Sequence, residues 1–219
     1  MKGRPVHFRL RLLGVLMIAS GVFGAGVGGF TLLRTMEGMN SLQSFSEAQG
    51  VMLSYNEAGQ LVDRGTTEGA EKILDLVRND WGFAIVEGDL NPNDPLVNTA
   101  TEYMVQMGTI ASHTLNSTVT VTLTEDTEYE GETFPAGDHE FVNDGRYWTG
   151  FDRLHPIEGP ARAMIWSGTT HALIGQLGVG AVTASTLTIG LGLVGVIGGL
   201  AGTLLLLGVG LIWAARKPA

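Results

Sequence analysis

The sequence predicts a membrane protein: an N-terminal and a C-terminal transmembrane helix flanking a small α+β extracytoplasmic domain. Three observations predict it. Residues 12–33 carry no charge, and neither does the run from Ala163 to Ala215. All 22 acidic residues fall between them, from Glu37 to Glu158.

Residues 1–11 read as a cytoplasmic tail holding Lys2, Arg4, Arg9 and Arg11. The stretch 12–33 (LLGVLMIASGVFGAGVGGFTLL) is then the first transmembrane helix. At about 1.5 Å per residue it spans roughly the 30 Å of a hydrocarbon core. The basic residues before it keep that end inside by the positive-inside bias. A cleaved signal peptide is the competing reading, with small residues near Gly24 to Gly26. The apolar stretch runs on to Leu33, so we read an uncleaved anchor.

The second charge-free run is too long for one crossing. Its most apolar part, 186–214, reads as the second transmembrane helix, followed by a cytoplasmic tail, 215–219, with Arg216 and Lys217. Residues 163–185 include Ser167, Thr169, Thr170, His171 and Gln176 and read as a membrane-proximal helix. The alternative is a third span over 171–190 with a turn near Gly190 to Gly192. It would place Arg216 and Lys217 outside. Small residues recur at helical spacing in both spans: Gly14, Gly21, Gly24, Gly28 and Thr31, then Ser185, Thr188, Gly192, Gly195, Gly199 and Gly202. Such stripes let backbones approach closely in lipid. The expected helix-packing residues are Gly21, Gly24, Gly28, Gly192, Gly195, Gly199 and Gly202, against the other helix or another protein.

The domain, 34–162, is strongly acidic: residues 35–170 hold only six basic residues against the 22 acids. That balance argues against nucleic acid. There is no cysteine, hence no disulfide or thiolate chemistry. Residues 34–48 can continue the first helix. VMLSY and QLVDR flank Asn56-Glu57-Ala58-Gly59 as a hairpin. Thr66 or Thr67 caps a helix to about Arg78, and GFAIV reads as a short strand. Asp94-Pro95 predicts a helix start, with an apolar stripe from Leu96 to Ala111 and an end near Leu115. From Ser117 the period changes to two, and a second strand pair surrounds Pro135-Ala136-Gly137-Asp138 and ends at Phe141.

Chemistry is sparsely spelled. Asp89, Asn91 and Asn93 have the opening spacing of a calcium loop, but Asp94 and Ala100 stand where Gly and Glu are needed, so a loop is expected. Glu125, Asp126, Glu128, Glu130, Glu132, Asp138 and Glu140 read as the solvated face of a hairpin rather than a cation or basic-partner site. His113, His139, His155 and His171 lack metal-helix spacing. Asp152 and His155 lie within a turn of each other and could form an orienting carboxylate and a base, or simply hydrogen-bond structurally. Asn116-Ser117-Thr118 is a sequon by spelling only.

GRYWTGFDRLHPIEGPARAMIWSGTTHALIGQLGVGAVTAS, with VDRGTTEG and NPNDPLVNTATEYM, resembles an uncharacterised actinobacterial family of two-span membrane proteins. Some members carry the label aromatic ring-opening dioxygenase. That activity implies iron held by His and carboxylate, a cluster this sequence does not spell. The expectation is therefore a non-enzymatic, membrane-anchored interaction protein, an accessory or assembly subunit with no cofactor. Its partners would be membrane lipid and other membrane subunits. An extracytoplasmic ligand-binding or sensor domain, or an enzyme using Asp152 and His155, are the alternatives.

Overall fold

The computed structural model describes residues 6–216; Lys2, Arg4 and Lys217 lie outside the described residues. Two long apolar helices, α1 (Val6–Gln49) and α5 (Gly168–Ala214), flank a small α+β region. Both are long and apolar enough to cross a membrane. The chain divides into two compact units: residues up to Ser44 together with Ala184 onward, and Phe45–Thr183.

The first unit is an antiparallel pair made from most of α1 and the second half of α5. Its register can be read from glycines, because a Cβ placed on each would strike the facing helix. At Gly14 it would lie 2.7 Å from the Gly208 carbonyl oxygen and 2.8 Å from Ile212. At Gly28 it would lie 3.2 Å from Ile197, and at Gly190 2.9 Å from the Thr35 hydroxyl. By that register 12–33 of α1 faces about 192–213 of α5. Arg34 follows directly and is ion-paired with Glu37 at 2.8 Å.

In the second unit, sequence and local structure agree where a cap decides. Thr66 accepts a hydrogen bond from Gly69 N and starts α2 (Thr67–Asp75), which passes into a π-helical turn, Leu76–Asp80. Helix α3 (Ala100–Leu115) begins later than Asp94-Pro95 predicts. A capping box decides it: Thr99 accepts from Glu102 N, and the Glu102 carboxylate accepts from the Thr99 and Asn98 amides. The stretch 95–97 instead bonds to the segment after α1, with Leu53 N donating to Pro95 O and Val97 N to Val51 O. GFAIV forms no strand: the Phe83 amide bonds to Val77 O and the Val86 amide to the Thr101 hydroxyl, so no ladder partner is offered. The 51–64 hairpin is likewise reduced to isolated bridges, one of them Tyr55 with Leu61 across the Asn56–Gly59 turn.

Strand β1 (Thr118–Leu123) pairs antiparallel with β4 (Gly137–Val142), from Thr118 opposite Val142 to Leu123 opposite Gly137. Between them β2 (Thr127–Tyr129) and β3 (Glu132–Phe134) form a second small hairpin. Helix α4 (Glu158–Ile165) precedes α5. The core joins Leu76, Ala111, Leu115, Val121, Phe141, Phe151, Ala161, Ile165 and Trp166. Gly108 lets α3 meet α2 and the π-helical turn, since a Cβ there would lie 3.2 Å from Ile73 and 2.6 Å from Val77. Gly180 of α5 packs under the Tyr103 ring, whose hydroxyl shares a 2.8 Å hydrogen bond with Ser46.

Residues 163–185 are not a helix of their own. They divide between the end of α4, a short break near Ser167 and the first part of α5, which continues unbroken through Gly190 to Gly192. Without a proline from Gly168 to Ala214, nothing interrupts the backbone ladder.

Gly14→Leu and Gly208→Leu should each force the α1–α5 pair apart, costing about 1–3 kcal/mol as overpacking. Gly195→Leu, where a Cβ meets nothing within 4 Å, should leave the pair intact. Thermal unfolding in detergent, followed by helical circular dichroism, reads the difference. Equal melting points for all three would refute the register.

Candidate functional site

The glycines expected to pack helices fall into two groups. Gly21, Gly24 and Gly28 lie on the face of α1 toward α5. Cβ atoms there would come within 2.7 Å of Leu205, 3.2 Å of Ala201 and 3.2 Å of Ile197, respectively. Gly192, Gly195, Gly199 and Gly202 do not face α1; a Cβ on any of them meets nothing within 4 Å. The contact face of α5 is instead Gly190, Ile197, Ala201, Leu205 and Gly208. The helix period explains the split. At about 100° per residue, Gly192, Gly195, Gly199 and Gly202 sit roughly opposite Gly190 and Gly208.

Asp152 and His155 are close in the structure but are not joined side chain to side chain as carboxylate and base. The Tyr129 hydroxyl donates to Asp152 Oδ2 at 2.6 Å, and the Leu154 amide donates to Oδ1 at 2.9 Å. His155 Nδ1 accepts from the Ile157 and Glu158 amides at 3.1 and 3.2 Å, capping the first turn of α4. A nitrogen accepting there carries no proton, so the donor is Nε2. The ring itself lies edge-on to Tyr129 and Phe134. Glu158 accepts from Arg146 at 2.8 Å and from the Asp152 amide at 2.9 Å. Arg146 in turn lies over Phe141 and Phe151. The arrangement fixes the loop from Arg146 to Glu158.

Electrostatics follow the bonds. The Tyr129 hydroxyl beside it holds Asp152 below the usual carboxylate range, and the Leu154 amide adds to this. The same bond pushes the Tyr129 phenol up to about 12. Burial pushes Glu158 up, but the Asp152 amide and Arg146 together outweigh it, and its net shift is downward. Glu102 shows the opposite balance: burial raises it despite the Asn98 and Thr99 amides.

The other histidines serve separate local bonds. His113 Nε2 lies 2.9 and 2.8 Å from the two Asp63 oxygens, His139 Nε2 donates to Pro135 O, and His171 Nδ1 donates to Ser167 O. The Asp63–His113 pair, fifty positions apart, had no sequence signal. It borders an open cleft of about 340 Å³ with Arg64, Lys72, Glu68 and Asn116. Asp63 also lines a half-enclosed cavity of about 150 Å³, together with Leu53, Leu61, Ile73 and Val105 among others. Asn91 Oδ1 accepts from the Asn93 amide, making a turn where a calcium loop would ligate. Asp126 and Asp138 bond to the Ala136 amide and the Thr122 hydroxyl within the hairpins. Asn116 closes the end of α3, its Nδ2 donating to Ser112 O. Among the described residues no group of three or more His, Cys, Asp or Glu is placed to hold a metal ion.

Asp152 and Glu158 bind fewer protons folded than unfolded, because both folded values lie below their ordinary 3.8 and 4.5. Their stabilisation is therefore complete above the unfolded values and is lost as pH falls through the folded ones. The 146–158 loop should loosen progressively as pH falls below those ordinary values. Tyr129→Phe, which removes the donor to Asp152, should shift that loosening to higher pH. Hydrogen exchange at the Leu154 amide, corrected for its intrinsic pH dependence, measures it; an unchanged profile would refute the assignment.

Comparison with family models, with curated proteins and with solved structures gave no match to this chain.

Proposed function

We propose that the chain is a non-enzymatic, membrane-anchored interaction protein, an accessory or assembly subunit of a larger membrane complex. One observation carries the reading. The face of α5 bearing Gly192, Gly195, Gly199 and Gly202 is turned away from α1, and a Cβ on any of these glycines would meet nothing within 4 Å among the described residues. In lipid, association of helices depends on close backbone approach rather than on the hydrophobic effect, and a glycine face permits it. The chain's own helix pair satisfies only the opposite face.

The membrane placement is supported by charge and register together. Arg9 and Arg11 flank one end of 12–33 and Arg34 the other, and the facing part of α5, about 192–213, is charge-free. An antiparallel pair that crosses a bilayer has both termini on one side. The cations at 9, 11 and 216 favour the cytoplasm for that side by the positive-inside bias, which supports a reading with the acidic domain outside. Lipid is then the first partner, and other membrane subunits the second. The resemblance to actinobacterial two-span proteins agrees with this topology. The 150 Å³ cavity is below the roughly 300 Å³ at which small-molecule sites begin, the open cleft of about 340 Å³ beside Asp63 and His113 reaches that size but has the polar lining such sites do not favour, and Asp152 and His155 hold their loop.

Purification in mild detergent followed by mass spectrometry should recover the chain in a complex, and Gly195→Leu or Gly199→Leu should deplete it while membrane levels stay unchanged. A chain that purifies as a lone monomer would refute the reading. Reporter fusions at residue 100 and at the C-terminus should report opposite compartments. Matching compartments would refute the two-span topology.

A further inference from the structure

We propose that the groove between α2 and α3 binds a small aliphatic monocarboxylate. Its carboxylate lies between Arg64 and Lys72, and its aliphatic group fills the cavity that shares Asp63 with their cleft. The site lies wholly within the second unit and goes beyond the interaction reading, which rests on α5.

Two hollows meet at Asp63. The cavity of about 150 Å³ has an apolar wall of Leu53, Leu61, Ile73 and Val105. The cleft of about 340 Å³ carries Arg64, Lys72, Glu68 and His113. The same three segments line both. From the hairpin come Leu61 in the cavity and Arg64 in the cleft. On α2, Ala70 and Ile73 line the cavity, and Gly69 and Lys72 the cleft. On α3, Thr109 lines the cavity, and His113, one turn and about 6 Å further along the axis, lines the cleft. Taken singly, one hollow is too small for an ordinary small-molecule site and the other too polar. Taken together they offer an apolar end and a charged end, a short distance apart. About 150 Å³ holds a group the size of benzene, so an isobutyl group fits the apolar end.

The charged end decides the class of ligand. Six basic residues lie between 35 and 170, and three of them are committed. Arg78 pairs with Glu87, Arg146 pairs with Glu158, and Arg162 donates to Trp148 O. Arg64 and Lys72 make no hydrogen bond or ion pair among the described residues, and both line this cleft. Arg64 is also held in a left-handed conformation, with φ at 49°, which Asn or Gly adopts more readily. It sits in a tight turn closed by reciprocal backbone bonds between Asp63 and Thr66. Asn or Gly would form that turn with less strain, but neither brings a charge to the cleft.

The two carboxylates on the cleft have other uses. Asp63 accepts from His113 Nε2, and Glu68 stands in the first turn of α2, where the helix dipole favours an acid. Arg64 and Lys72 against these two acids leave the cleft neutral, or at one positive charge when His113 is protonated. That balance suits a monoanion and disfavours a dianion such as phosphate.

Isothermal titration of the full chain in detergent tests the site, with isocaproate, acetate, isohexanol and inorganic phosphate as probes. Isocaproate should bind at one site, at least about tenfold more tightly than acetate, which lacks the apolar group, or isohexanol, which lacks the charge. Arg64→Met and Lys72→Met should each weaken it about five- to tenfold. Both side chains are exposed and unbonded, so the unfolding temperature should stay unchanged. Thr109→Leu, which fills the cavity, should abolish the preference over acetate. Acetyl-alanyl-leucine ends in the same isobutyl group and carboxylate. Binding as tight as that of isocaproate makes the end of a peptide chain the source of the ligand; weaker binding makes it the free acid. Isocaproate binding that survives both Met substitutions is partition into detergent and would overturn the proposal. So would equal binding of isocaproate and isohexanol, tighter binding of phosphate, or no binding of any probe. None of these results bears on purification of Gly195→Leu, so the two readings fail separately.

Discussion

A Cβ on Gly14 would lie 2.7 Å from the Gly208 carbonyl oxygen, and a Cβ on Gly208 would lie 2.7 Å from that of Gly14. Neither helix can carry a side chain at that crossing, so the two backbones meet there directly. Once they do, the register of everything along the pair is fixed. Gly21 must receive Leu205, Gly28 must receive Ile197, and Thr35 must lie against Gly190. A slip of one residue on either helix would turn these glycines away and bring Leu or Val side chains into backbone. The contact also decides which face of α5 is spent within the chain and which is left over.

The second unit is held by a different logic, in which polar groups close local structure and a few aromatic rings unite it. Arg146 is the clearest case. Its guanidinium bonds to Glu158, lies over Phe141 and Phe151, and its carbonyl accepts the Trp166 indole N–H at 3.1 Å. One side chain thus ties β4, the loop after it and the start of α4 to the hydrophobic core. Asn143, fully buried, donates to Thr114 O and binds the end of α3 to the same place. The acidic residues that dominate the composition are mostly outside this frame, on hairpins and helix surfaces.

What could be read in the sequence follows the range of the signal. Thr66, the alternation from Val119 to Leu123 and the charge-free runs are local, and the elements they imply are present at those places. Local signals failed where two competed. Asp94-Pro95 offered a helix start, but Thr99 and Glu102 offered a reciprocal one with two amides satisfied by one carboxylate, and 95–97 had another use for its backbone. GFAIV has strand composition without a partner strand, and composition alone makes no ladder. The site residues were harder still. Glycine spacing marks close approach without saying to what, and only the antiparallel register separates Gly28, which has a partner helix, from Gly195, which has none.

His155 shows why a catalytic reading from proximity alone was unsafe. Asp152 and His155 are three residues apart, and a dyad needs the carboxylate to receive the Nδ1 proton. Here Nδ1 instead receives two amide protons from the helix it caps, while the carboxylate is satisfied by a phenol and by backbone. The loop needs an acceptor before α4 and an aromatic edge beneath Tyr129 and Phe134, and an imidazole supplies both in one side chain. Its chemistry is consumed by position. Each of the other three histidines outside α1 is likewise committed to a carbonyl or a carboxylate nearby. These four rings hold local structure in the domain, which is why their spacing along the chain spelled no site.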